Sequence, residues 1–226
     1  MKKAFTMLEL IFVIVIIGIL AATIIPNTRT NPLQEAAVQI VSDIRYTQHL
    51  AMVDDKFDMN DVNWFKKRWQ ILFSSNGGSG GEEAYTIFSD TSGTSSGNPD
   101  VAEIAINPSN VNERMCGGQT SSVLLDIDNA GFIGMNKLNI GRSYGVEDVV
   151  FSAPCSIAES TRIAFDHMGR PIRSNLSSNI TAYDNNDLIT DNCDITLTHA
   201  TGDTLIIRVH RETGYVCILD LLGNCA

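Results

Sequence analysis

The chain has 226 residues, room for one large domain or two small ones, and its 44% hydrophobic and 19% charged residues are ordinary for a packed protein. A formal charge of −10 excludes a general attraction to phosphate backbones. The apolar residues are unevenly spread, and the densest run is at the start.

From Phe5 to Ile25 the sequence is apolar apart from Glu9 and two threonines. These 21 residues make a helix of about 31 Å at ~1.5 Å each, close to a hydrocarbon core of roughly 30 Å. Lys2 and Lys3 precede the run and the next basic residue is Arg29, so the positive-inside bias keeps the N-terminus cytoplasmic and exports the rest. A cleaved secretory signal fits badly, because Leu20 and Ala22 make a poor small-x-small site and an acid interrupts the apolar region. A plain uncleaved anchor tolerates Glu9 near the interface, although a midplane carboxylate costs about 2.5–3.5 kcal/mol on insertion scales, but it leaves the acid without a purpose.

Past Pro26 and Pro32, which loosen or restart the helix, Leu33, Ala37, Ile40, Val41, Ile44 and Ala51 recur at helical spacing to about Met52. Glu35, Asp43 and Arg45 fall elsewhere on its surface in this reading. The apolar stripe calls for a sheet to cover it. Candidate strands follow at 68–73, 84–88, 101–106, 123–127, 146–151, 162–165, 194–198, 204–210 and 215–219, bounded by Gly, Ser, Asn or Pro. Ala200-Thr201-Gly202-Asp203 and Glu212-Thr213-Gly214 read as hairpin turns. The expected class is α+β, one helix on an antiparallel sheet.

Lys2-Lys3-Ala4, then Phe5-Thr6-Met7-Leu8-Glu9, then the apolar helix with Gly18 and Pro26, resembles the class III signal of type IV pilins and type II secretion pseudopilins. The resemblance covers about the first 30 residues, with Ala4 where the family usually has glycine. It implies a type IV pilin-like fold: leader 1–4, transmembrane and assembly helix 5–25, amphipathic continuation 26–55 and an extracytoplasmic β-rich domain 56–226. It also implies cleavage between Ala4 and Phe5 by a prepilin peptidase and N-methylation of Phe5. Glu9, about 6 Å further along the helix, would then neutralise the Phe5 amine of a neighbouring subunit. The implied partners are other pilins or pseudopilins and an inner-membrane assembly platform. The run Arg162-Ile163-Ala164-Phe165-Asp166-His167-Met168-Gly169-Arg170-Pro171, with Arg211-Glu212-Thr213-Gly214-Tyr215-Val216, resembles the C-terminal half of H-type minor pseudopilins and points to a minor subunit.

Cys116, Cys155, Cys193, Cys217 and Cys225 all lie beyond the exported boundary and suit disulfides in an oxidising compartment, with one thiol left over. The resemblance suggests Cys217 or Cys193 as the partner of Cys225; the residues alone leave the connectivity open. Without a close Cys-x-x-Cys pair, bridges are the better reading than zinc. Gly77-Gly78-Ser79-Gly80-Gly81 matches the nucleophile-elbow pattern but precedes a strand, and reads as a flexible loop. Asp126-Ile127-Asp128-Asn129-Ala130-Gly131 opens like a calcium loop but has Ala130 at a ligand position, and so reads as a turn. Tyr183-Asp184-Asn185-Asn186-Asp187 with Asp191 offers more oxygens; calcium is a weaker alternative there to a solvated loop. His49, His167, His199 and His210 form no i, i+4 pair, no catalytic triad is in view, and no cofactor is required. Trp64-Phe65-Lys66-Lys67-Arg68-Trp69 mixes cations and aromatics as single-stranded nucleic acid binders do, against a plainer strand in which Trp69, Ile71 and Phe73 share a face and Lys67 and Arg68 mark its wet entrance.

Overall fold

The computed structural model describes residues 7–24, 31–92, 96–156, 160–173, 175–184 and 187–225, with the backbone alone for 21–24. The chain divides into two compact units, Met1–Pro32 and Leu33–Ala226.

The first unit contains helix α1, Met7–Ile24, apolar on every face, with the side chains from Met7 to Leu20 all exposed. Its 18 residues rise about 27 Å. Among the described residues no helix is long and apolar enough to cross a membrane. The expected 21-residue span includes Phe5, Thr6 and Ile25, which lie outside the described residues, as does Pro26.

Helix α2 is Pro32–Val53, and the second unit begins at its Leu33. Proline suits a first helical turn, where its missing N–H would have no partner, and Glu35 complements the positive end of the helix dipole. Leu33, Ala36, Ala37, Ile40, Val41, Ile44, Thr47 and Ala51 form its buried stripe. Asp54 and Asp55 then place negative charge at the helix's negative end, where it is unfavourable. Asx turns take over in succession, as Asp55, Asp58 and Asp61 each accept from the backbone N–H two residues on.

The sheets are antiparallel throughout. Strands β1 (Trp69–Ser75), β2 (Glu83–Ser89), β6 (Arg162–Phe165) and β7 (Pro171–Arg173) make one, in the order β2-β1-β6-β7. Strands β5 (Val146–Phe151), β8 (Cys193–His199), β9 (Thr204–Val209) and β10 (Val216–Ile218) make another, in the order β10-β9-β8-β5. A small hairpin of β3 (Ile106–Asn107) and β4 (Asn110–Arg114), and the short helix α3 (Ile140–Tyr144), complete the named elements. Strand β8 shows why its residues belong in a sheet: Cys193, Ile195 and Leu197 are buried and alternate with half-buried Asp194, Thr196 and Thr198. The α2 stripe joins Ile71, Phe73, Tyr85, Ile87, Phe151, Ile195, Leu197, Ile207 and Val209 in one core drawn from both sheets.

Several expectations are corrected. Of the run 101–106, Val101 to Glu103 is a turn, in which the Glu103 N–H closes on the Asp100 carbonyl and the Glu103 carboxylate takes the N–H groups of Ser92 and Asp100, while Ile104 makes an isolated antiparallel bridge to Phe88 and Ile106 alone lies in a strand. Residues 123–127 begin as a 3₁₀ turn, Val123–Leu125, since the Ser122 hydroxyl caps Leu124 and offers the backbone a local alternative to pairing. The glycine run 77–81 is an ordered turn. Asn76 and Ser79 cap each other reciprocally, and Gly78 lies so close to Gln119 that a Cβ would sit 2.2 Å from that residue's carbonyl oxygen. Only glycine permits these two backbones to cross there.

Asp43 is also corrected, being buried rather than on the helix surface. The Tyr85 hydroxyl donates to its Oδ2 at 2.6 Å and Gln39 Nε2 to the same atom at 2.9 Å, while the Thr47 hydroxyl donates to its main-chain carbonyl at 2.8 Å. Burial raises the carboxyl pKa, against the lowering effect of the Tyr85 and Gln39 bonds. The folded chain therefore holds this proton more tightly than the unfolded one, whose pKa is about 3.9. The resulting stability is complete below that value and is lost as pH rises through the folded pKa. Urea titrations at successive pH values should show Asp43→Asn gaining on the parent chain as pH rises from about 4, with a limiting slope of ~1.4 kcal/mol per unit. Tyr85→Phe should cost about 1–3 kcal/mol by leaving a buried acceptor short of a donor.

Candidate functional site

Glu9 stands in the first turn of α1, where the helix dipole favours a negative charge, and it is exposed. From Met7 to Leu20 it is the one residue whose side chain is charged. Gly18 has nothing within 4 Å of where a Cβ would be. Ala4 and Phe5, the expected cleavage and methylation positions, lie outside the described residues.

The stretch from Trp64 to Trp69 has its own partners. Residues Trp64–Lys67 form a 3₁₀ turn that feeds β1. Trp64 packs edge-on to Phe57 at 5.2 Å and to Phe65 at 6.0 Å, and Phe65 is buried. Arg68 is only 4% exposed, which corrects its expected place at a wet entrance. Its guanidinium lies over the Trp64 ring at 5.0 Å and the Tyr183 ring at 4.6 Å, and Nη1 donates to the Ala182 carbonyl at 2.7 Å. Nη2 has no hydrogen-bond partner among the described residues. Burial lowers the Arg68 pKa, opposed by the nearby Tyr183 and Asp166. Lys67 pairs with Asp61 at 2.8 Å, and Lys66 is half-buried. The Trp69 indole donates to Asp54 at 2.9 Å under the Lys56 ammonium, 5.2 Å from its ring. Rings and cations that would stack on bases and pair with phosphates are thus mostly occupied within the chain.

The run from Arg162 to Pro171 is a hairpin held by one carboxylate. Asp166 accepts from the Met168 and Arg170 N–H groups at 3.0 and 2.9 Å, from Arg170 Nε at 2.7 Å and from the Tyr183 hydroxyl at 3.1 Å. Burial pushes its carboxyl up, but these bonds outweigh it and hold it below the usual range. His167 is exposed, with no part in this set of bonds. Gln48 Nε2 on α2 donates to the carbonyls of Gly169 and Thr213, both at 2.8 Å, so the two resembling segments meet the helix at one side chain. Arg162 donates to Gln70 Oε1 at 3.0 Å and to Asn175 Oδ1 at 3.2 Å; burial lowers its pKa to about 10.

The cysteines pair as Cys155–Cys193 and Cys217–Cys225, and Cys116 is a buried free thiol. Of the two suggested partners for Cys225, the structure joins Cys217; Cys193 bridges instead to Cys155, which precedes it in space where β5 leaves and β8 enters the same sheet. The Cys116 thiol is pushed up by burial, away from the range of a reactive thiolate.

The oxygen-rich loops are largely committed to the chain's own groups. Asp126 accepts from Asp128 N–H, Asp128 pairs with Arg142 at 2.8 Å, and Asn129 accepts from Gly131 N–H. Asp184 caps Ile180 and binds Thr181, Asp187 accepts from Asn179, and Asp191 lies 3.8 Å from Arg211; Asn185 and Asn186 lie outside the described residues. The Ser79 hydroxyl of the elbow-like run is buried and donates toward the carbonyls of Asn76 and Glu82. A polar groove of about 600 Å³ runs beside α2, lined by Asp43, Tyr46, Asn107, Glu113 and Lys137 among others, and shows no nucleophile and base in register.

Sequence reading missed Asp43, although its spacing from Ile40 and Thr47 places it on the buried stripe. It also missed the part of Tyr183 in enclosing Arg68, which no local pattern signals. Compared with protein-family models, with curated proteins and with solved structures, the chain matches none.

Arg68→Ala is expected to cost about 2–4 kcal/mol in chemical denaturation, by removing two desolvated cation–π contacts and a charged hydrogen bond. Lys66→Ala is expected to stay within about 0.5 kcal/mol, as at an ordinary surface position.

Proposed function

We propose that the chain is a minor pseudopilin or minor pilin: a structural subunit held in the inner membrane through residues 5–25, carrying its globular domain outside the cytoplasm. The observation that carries this reading is the opening Lys2-Lys3-Ala4-Phe5-Thr6-Met7-Leu8-Glu9 and the apolar helix that follows it. Two features of the second unit support it. An amphipathic helix packs on antiparallel sheets, the arrangement the resemblance implies, and two disulfides suit an oxidising compartment.

On this reading prepilin peptidase releases residues 1–4 and the new Phe5 amine is methylated. In a stack of staggered helices, Glu9 of one subunit meets the Phe5 amine of another. Each charge alone is costly in hydrocarbon, and their pairing sets the register of assembly. The chain then primes or caps a filament built with other pilins or pseudopilins on an inner-membrane platform. The reading assigns it no reaction. Capture of nucleic acid at Trp64 to Trp69 is the weaker alternative, because those side chains are engaged internally.

The mass of the intact protein extracted from membranes tests the reading. The expected species begins at N-methylated Phe5; a species that retains residues 1–4 overturns it. Glu9→Ala should still insert but should drop out of filaments sheared from cells, and undiminished incorporation would sink the charge-pairing mechanism.

A further inference from the structure

Among the described residues, one group of three potential soft-metal ligands converges: His210, Cys217 and Cys225, whose donor atoms all lie within 4.8 Å of one another. His210 follows β9, and its ring lies 5.5 Å from that of Tyr215. Its Nε2 is 3.2 Å from Cys225 Sγ and 3.8 Å from Cys217 Sγ. Cys217 is buried on β10, His210 is half-buried and Cys225 is exposed at the tail.

The two sulfurs are bonded to each other here, and a bonded disulfide is a poor ligand. Reduction changes the chemistry of the cluster. A phosphine and water convert the disulfide to two thiols and the phosphine to its oxide; a divalent cation then displaces both thiol protons and binds two thiolates and one imidazole. Bond lengths of about 2.3 Å to sulfur and ~2.0–2.1 Å to nitrogen, at tetrahedral angles, put sulfur and nitrogen roughly 3.5 Å apart. The two observed separations bracket that value. Only the sulfurs have to part.

The backbone is arranged to allow this while keeping the tail in place. Leu219 and Cys225 pair across a bridge, and the Asp220 N–H donates to the Asn224 carbonyl at 2.8 Å. Asp220 Oδ1 takes the N–H groups of Leu222 and Asn224 at 2.9 and 2.8 Å. These bonds hold the turn without the covalent link. Exposed Cys225 has room to yield, and its solvent side leaves a fourth position for water.

We propose that the reduced tail is a binding site for a thiophilic divalent cation such as zinc, with ligands His210 Nε2, Cys217 Sγ and Cys225 Sγ. Metal and disulfide are then alternative clasps that fasten the same tail to β10. The site is independent of the function proposed above.

Cobalt(II) is the probe, added alone to the phosphine-reduced full-length protein in detergent. The expected result is a thiolate-to-cobalt charge-transfer band that saturates at one ion per chain, is bleached by zinc and is absent from the oxidised protein. His210→Ala, which leaves the disulfide able to form, should weaken binding by at least about 10-fold, since losing even an outer partner of a ligand costs ~10–100-fold. Cys225→Ser should abolish the band, although Cys116, Cys155 and Cys193 all remain. A reduced chain without the band overturns the proposal, as does a band of equal strength and affinity in Cys225→Ser or in His210→Ala.

Discussion

The second unit depends on one buried hydrogen bond, from the Tyr85 hydroxyl on β2 to the Asp43 carboxylate on α2. A carboxylate deep in an apolar interface is costly unless it is well bonded, so the helix can occupy only positions that bring Asp43 to Tyr85. That restraint complements the apolar stripe, which by itself allows a helix to slide and rotate over a sheet. Other polar bonds fix the same pose. Arg45 Nη2 donates to the Val216 carbonyl on β10 at 2.6 Å, and Gln48 reaches the Gly169 carbonyl beyond β6. The helix is thereby tied to both four-stranded sheets from residues spaced along less than two turns.

Once α2 is placed, the periphery needs separate fastening, because short elements bury little. Strand β7 has only three residues and β10 only three. Strand β7 is held through the Asp166 turn, where one buried carboxylate gathers Met168, Arg170 and Tyr183. Tyr183 then lies against Arg68, so that the approach to β1 and the exit from β6 share a guanidinium–aromatic stack. The tail beyond β10 is fastened covalently, and Cys155–Cys193 closes the end of the sheet where β5 and β8 pair. Disulfides placed in this way mainly limit the unfolded chain, and the bridge spanning 38 residues limits it more than the one spanning 8.

The α+β class, α2 and most of the long strands were legible in the sequence, because each carries its own period and its own flanking turn residues. The runs 101–103 and 123–125 misled, since their fate was decided by Glu103 and Ser122 capping nearby N–H groups, which hydrophobic alternation does not record. The glycine run at 77–81 looked loose by composition and is ordered by contact with Gln119, 38 or more residues away. Strand β7 was invisible because it begins with Pro171, tolerable only where no ladder N–H is needed. At the candidate sites, the residue types were legible but their partners were not. Nothing local to Trp64 to Trp69 indicates that Tyr183 will cover Arg68, and cysteine spacing alone could not separate Cys155–Cys193 from the other pairings.

Two acids in apolar settings follow one rule with different means. Asp43 is held by donors from its own fold: the Tyr85 hydroxyl and the Gln39 amide, with Thr47 supporting the helix carbonyl behind it. Glu9 lies in the first turn of an apolar helix, where the helix dipole favours a negative charge. The dipole contributes up to about 2 kcal/mol, while the cost of a carboxylate in hydrocarbon grows with depth to ~2.5–3.5 kcal/mol at the midplane. In the proposed assembly a full positive charge on the neighbouring subunit stabilises it further. An acid compensated in that way is favourable beside a correctly staggered neighbour and unfavourable elsewhere in hydrocarbon, so the same cost that makes Glu9 look misplaced in one chain would select the register between two.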